Sequence, residues 1–298
     1  MYKNLNPDVL GITGRQSELI ELALTHGFRS IDIDIERYLK QARTKGPEQA
    51  GRFLASAKLR IGAFELPIEW RGAEESYKQE LQSLDGVAQL LASSGGCVAQ
   101  ATVMPASDAL PYHENFELHR LRLAEIGEVL AKHDIRLGVG FLASPSLRAD
   151  QPYQFVCDAE AITTLVKSVS SDNVGLHLDT WNWHFGGGTT DQLNTLEGRG
   201  IISISIADVP GDVDAVTVSD EDRRLPLEEG AVKNAEFIKT AVDNGFNGPI
   251  TLQTAADCFK SLTREAIVQQ CATILDELVK SAIGPPPEPV LADEEVAG

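Results

Sequence analysis

Hydrophobic positions along the chain alternate between two spacings, every second residue over short runs and every third or fourth over longer ones. A period of two marks a strand, and a stripe near 3.6 residues marks an amphipathic helix. Phe28–Ile35 sets Ile31, Ile33 and Ile35 against Asp32 and Asp34, and so predicts a strand. Further strands are predicted at Val9–Ile12, Leu59–Leu66, Cys97–Met104, Ile135–Leu142, Val174–Trp181, Ile201–Ala207 and Pro249–Thr254. Helical stripes lie between them. Leu19, Ile20, Leu22 and Ala23 precede Gly27, and a second helical stretch runs to about Lys58. Leu84, Val87 and Leu91 mark Glu74–Ala92, and Leu123, Ile126 and Leu130 mark Phe116–His133. Ile162, Leu165, Val166 and Val169 line the next helix. A short helix near Asp191–Leu196, then Asn234–Asn244 and Thr263–Ala282, complete the series.

Eight strand–helix units in some 280 residues imply a parallel sheet, and that number fits a closed α/β barrel, a (β/α)8 TIM barrel, better than an open doubly wound sheet. No G-x-G-x-x-G or phosphate-loop motif argues for the open alternative. Residues 1–283 therefore read as one barrel domain. From Gly284 the chain turns to proline and acid, ending in Asp293-Glu294-Glu295, so 284–298 read as a disordered acidic tail.

Charge narrows the partners. The formal net charge of -18 repels nucleic-acid phosphates and sets that class of partner aside. No run reaches the roughly 18 apolar residues a membrane span needs, and the N-terminus carries no apolar signal segment, so a cytoplasmic protein is expected. Cys97, Cys157, Cys258 and Cys271 are widely scattered with no C-x-x-C pair, and read as reduced thiols. Oligomeric state is left open.

In such a barrel the chemistry sits at the carboxyl ends of the strands and in the loops after them. Those places hold Pro67-x-x-Trp70-Arg71, Pro105-x-Ser107-Asp108-x-x-Pro111-Tyr112, Leu178-Asp179-x-x-x-Trp183 and Asp208-x-Pro210. Arg223-Arg224-Leu225-Pro226 with Gly230, and Gly248-Pro249-Ile250-Thr251-Leu252, follow. In this order and spacing the chain resembles the xylose-isomerase-like TIM barrels, a family of sugar phosphate isomerases and epimerases, from about Leu10 to Ala282.

The resemblance implies aldose–ketose isomerisation or epimerisation, with a divalent metal such as Mn, Mg, Co or Zn polarising the substrate and a carboxylate moving the proton. It also implies a ligand set at four strand ends, plus a histidine three residues after the sixth-strand aspartate. Carried over residue by residue, the fifth-strand glutamate falls on Gly140, the aspartate is kept as Asp179, and the histidine beyond it is Asn182. The seventh-strand histidine falls on Ser205 and the eighth-strand glutamate on Gln253. Ligand charge thereby drops from about -3 to -1, too little for an ion that is held mainly by charged oxygens and imidazole. The expectation is no metal cofactor, and a divergent or catalytically inactive member, its metal-dependent chemistry lost or much reduced, that binds a small sugar-like ligand through Glu65, Asp179, Asn182, His184, Asp208 and Gln253.

Two alternatives stay open. One is an active isomerase or epimerase working on a ketose or keto-inositol through a rebuilt site around Asp179, His184 and Glu65. The other is a scaffold that binds only protein partners. Individual residues also read two ways. Trp181 and Trp183 stack on a sugar or pack the loop. Gly186-Gly187-Gly188 holds an anion, or turns before a cap by Thr189 or Thr190. Arg223 and Arg224 clamp an anion or are solvated. His177, two residues from Asp179, is expected to face the barrel interior with a hydrogen-bond partner, and His113 to sit at a helix entry.

Overall fold

Residue Asn4, polar and fully buried, shows how the barrel is built. It lies on β1 (Tyr2–Leu5), beside Ser30 of β2 (Ser30–Ile31) and Thr251 of β8 (Pro249–Leu252). In this computed structural model, which describes residues 1–196, 200–226 and 229–284, the remaining strands of the barrel are all parallel, and a separate antiparallel pair joins Ala106–Ser107 to Tyr153–Gln154. β3 has two short segments, Arg60–Ile61 and Ala63–Glu65. β4 is Val98–Val103, β5 Arg136–Phe141, β6 Val174–Asp179 and β7 Ile201–Ile206. The first segment of β3 pairs with β2 and the second with β4, so the ring closes through a single strand that breaks at Gly62. A Cβ on Gly62 would overlap Oδ1 of both Asp32 and Asn4. Glycine lets the wall pass close to that polar pair.

Side chains alternate across each strand. On β5, Leu137 and Val139 are fully buried in the apolar core, whereas Gly138 and Gly140 both approach His177. The helices stand outside. Asp34 caps Ile35–Lys45 by accepting from Arg37 N–H, Asp158 caps Ala159–Ser168, and Thr263 caps Arg264–Ile283. A carboxylate or hydroxyl in each place satisfies an N–H that the helix leaves unpaired. Among the described residues no helix is long and apolar enough to cross a membrane.

The predicted first strand, Val9–Ile12, is a turn, with Leu10 N–H donating to Asn6 and Ile12 N–H to Pro7. Leu10 and Ile12 are buried all the same, which is why they read as strand. The true β1 carries Lys3 and Asn4 at its centre, and only Leu5 of its two buried side chains is a hydrocarbon, the other being the hydrogen-bonded amide of Asn4. The second predicted strand shrinks to two residues, because Asp34 ends it as a helix cap. The sixth stops at Asp179, where the chain enters a short helix, Thr180–Phe185. The predicted tail, beyond Gly284, lies outside the described residues.

Candidate active site

The carboxyl ends of the strands open into a cavity of about 1440 Å3. Glu65, Asp179, Asn182 and Gln253 line it together, as do Gly140 and Ser205.

Asp179 ends β6 and does three things. Its Oδ1 accepts from Asn182 N–H at 2.8 Å, capping the short helix, and both its oxygens accept from Arg223 Nη1, at 3.2 and 2.9 Å. Arg223 is itself buried. Its Nε donates to Asp220 at 2.7 Å, and its guanidinium lies 4.5 Å from the centre of the Trp181 ring. Burial works against the Arg223 charge, but Asp179 and Asp220 outweigh it and raise its pKa. The retained carboxylate of the resembled ligand set is therefore held by a resident cation.

The other positions of that set do not complete a metal site. His177 fills the space above Gly140, with ring Cδ2 only 2.9 Å from where a Cβ would stand. His177 is held there by Ser203 Oγ at 2.7 Å and Gln100 Nε2 at 3.1 Å from its Nδ1. Burial lowers its pKa, with Asp179 pulling the other way. Asn182 is buried and accepts Ala143 N–H on its Oδ1 at 2.9 Å. Gln253 has its backbone N–H on Ile206 and keeps its amide for the cavity. Among the described residues no three His, Cys, Asp or Glu side chains are grouped so as to hold a metal ion. The donors present do not fit the divalent ion that the resemblance implies.

Two carboxyl groups in the cavity are perturbed. Asp32, just past β2, is pushed up to about 7, chiefly by burial and further by the nearby Asp8, while Asn4 Nδ2 donating to its Oδ1 at 2.8 Å opposes the rise. Glu65, at the end of β3, keeps its outer atoms in the cavity's solvent, yet loss of water around it raises its pKa too. Thr102 Oγ1, donating at 3.3 Å, and Arg71 work against that. A cleft that raises the pKa of two carboxyl groups, that of Asp32 to about 7, is suited to proton transfer. Asp32 is the residue missed by the sequence reading. Its signal was the Asp at the carboxyl end of an alternating strand, and that alternation reports only which face the side chain takes.

His184 and Asp208, both expected to line the pocket, do not. His184 is not among the lining residues and packs edge-on against Phe185, ring centres 5.0 Å apart, with burial lowering its pKa and Asp208 opposing that. The short helix turns it off the β6 axis, which a strand prediction through Trp181 did not foresee. Asp208 is buried, and its Oδ1 accepts Val209 N–H at 2.8 Å and Val232 N–H at 3.0 Å. It ties the loop after β7 to the segment around Gly230. Trp181 and Trp183 are fully buried and pack the loop, Trp183 Nε1 donating to Thr189 O. Thr189 caps the helix Thr190–Asn194, reciprocated by Gln192. Of the arginine pair, Arg223 belongs to the site, while Arg224 braces loop carbonyls. His113 sits exposed in the first turn of Tyr112–Ala131.

Comparison with known proteins agrees with this architecture. A sequence model of the xylose isomerase-like TIM barrel matches residues 20–278. The chain belongs to that family. The barrel superposes on a xylose isomerase domain protein from Alicyclobacillus acidocaldarius subsp. acidocaldarius with a TM-score of 0.84 at 22% identity, covering 95% of this chain and 99% of that one. It superposes on the IOLI protein with a bound zinc atom with a TM-score of 0.79 at 18% identity, covering 96% and 100%. In sequence it is 24% identical over 150 residues to the inosose isomerase of Bacillus subtilis (strain 168), 49% of this chain and 50% of that protein. The chain spans about half the length of the curated relatives it matches. Identities this low establish the shared fold.

Proposed function

We propose that this xylose isomerase-like barrel binds a neutral, polyhydroxylated sugar-like ligand in the cavity at its strand ends without a divalent ion, Arg223 supplying the positive charge. The observation that carries the reading is the pairing of Arg223 Nη1 with both oxygens of Asp179. A metal at Asp179 would have to displace a buried guanidinium that Asp220 and Trp181 also hold. The isomerase chemistry of the family is then lost or much reduced. Glu65, Asn182 and Gln253 supply hydrogen-bonding groups for hydroxyls, and the inosose isomerases among the curated relatives bring keto-inositols into the set of ligands to test.

Turnover through a rebuilt site around Asp179, His184 and Glu65 has less support, because His184 lies off the cavity wall. If turnover exists, Asp32 and Glu65 are the groups placed to move a proton. A thermal-shift screen of ketoses and keto-inositols, with and without chelator and added Mn, Mg, Co or Zn, tests the reading. Stabilisation by at least one neutral ligand, equal with and without chelator, is expected. One tightly held ion per chain, or a ligand shift that chelator abolishes, overturns it.

A further inference from the structure

At the opposite end of the barrel, where the strands begin, lies a second recess of about 760 Å3. Lys3, Arg29, Lys58 and Arg60 line it, and Asp276 is the one carboxylate among its described lining residues. The fold sets these cations side by side. Arg29 N–H donates to Lys3 O at 3.0 Å and Arg60 N–H to Arg29 O at 3.2 Å, so three neighbouring strands enter the barrel with a basic residue each. Lys58 joins them from the left-handed turn, φ 53°, that ends the helix Pro47–Ala57.

Their charges are only partly answered. Asp276 pairs with Lys3 at 2.6 Å. Lys3 also lies over the Phe28 ring and Arg60 over the Tyr2 ring, contacts that fix the heads without neutralising them. Among the described residues the Arg29 and Lys58 side chains have neither hydrogen bond nor ion pair. In a chain with a net charge of -18, four cations facing one carboxylate in a concave recess call for an anion from outside.

We propose that this recess is a binding site for a multiply charged, phosphate-bearing small molecule. Guanidinium forks and ammonium groups converging from several strands suit an oxyanion with several acceptor oxygens, and the volume is that of a metabolite-sized pocket. The site is independent of the cavity at the other end.

Titration calorimetry of the full chain with inorganic pyrophosphate, at low and at physiological salt, tests this. One molecule per chain is expected, with affinity falling as salt rises. The double variant Arg29→Gln/Lys58→Gln, both residues exposed, is expected to weaken it at least about tenfold. Asp32→Asn in the far cavity and Lys239→Ala on a surface helix are expected to leave it unchanged. Absence of binding, binding untouched by the double variant, equal binding of acetate, or binding of polyglutamate in place of pyrophosphate would each overturn the proposal.

Discussion

One residue pair governs the site. Asp179 and Arg223 are both buried, and a buried pair stabilises only if its remaining donors and acceptors are met. Here Asn182 N–H serves Asp179 Oδ1, and Asp220 accepts from Arg223 Nε. Asp32 stands in the opposite condition, a carboxyl with one neutral donor and no cation. Its folded-state pKa of about 7 lies above the roughly 3.9 of an unfolded aspartate. The folded chain then holds a proton that the unfolded chain has released. Its contribution therefore falls as pH climbs from about 4 to about 7 and is level above that. Asp32→Asn, which preserves the acceptor for Asn4, removes the penalty. Urea unfolding across pH 4–8 should show the variant gaining on the native chain over that window, by on the order of 3 kcal/mol at the top. Parallel curves would mean that Asp32 ionises normally.

At the scale of elements, the sequence revealed those whose burial is apolar and hid those whose burial is polar. Glu74–Ala92 matched its helix end to end, and β4, β5 and β7 lay within a residue or so of their predicted runs. β1 was missed because its interior residue is Asn4, whose amide meets Asp32, Ser30 and Thr251 and gives no hydropathy signal. The site divided the same way. Glu65, Asp179, Asn182 and Gln253 could be placed on the cavity wall in advance because strand ends can be located from pattern. Arg223 was noticed only as part of a pair, since its partnership with Asp179 spans 44 residues and depends on how a long loop returns. Gly62 shows an element-scale constraint with no sequence period at all. Gly62→Ala should cost roughly 1–3 kcal/mol, because two hydrogen-bonded side chains fill the space its methyl needs. Gly86, exposed in a helix with nothing within 4 Å of an added Cβ, is the control. Gly86→Ala should gain about 0.5–1 kcal/mol. Chemical unfolding of the two variants side by side checks both signs.

At the scale of the whole molecule, the charge is unevenly placed. Among the described residues, the large cavity is lined by nine carboxyl groups, among them Asp8, Asp32, Glu65, Asp179 and Asp220, and by three basic side chains, Lys40, Arg43 and Arg223. Arg223 is already matched by Asp179 and Asp220. An acidic, partly enclosed cleft concentrates its own field, so a phosphate group entering it meets repulsion that a neutral sugar does not. For any ketose that binds, the corresponding sugar phosphate should bind at least about tenfold more weakly at low ionic strength, a difference of roughly 1.4 kcal/mol. Screening shortens the reach of those carboxylates to about 8 Å at physiological salt and about 3 Å at 1 M, so the gap should narrow as salt is added. The neutral ligand's own affinity should barely move. Competition titrations of one ketose and its phosphate at three salt concentrations separate the two behaviours. A phosphate that binds tighter in this cavity, with a preference that fades in salt, would mean that Arg223 offers the ligand more charge than its two carboxylate partners leave it.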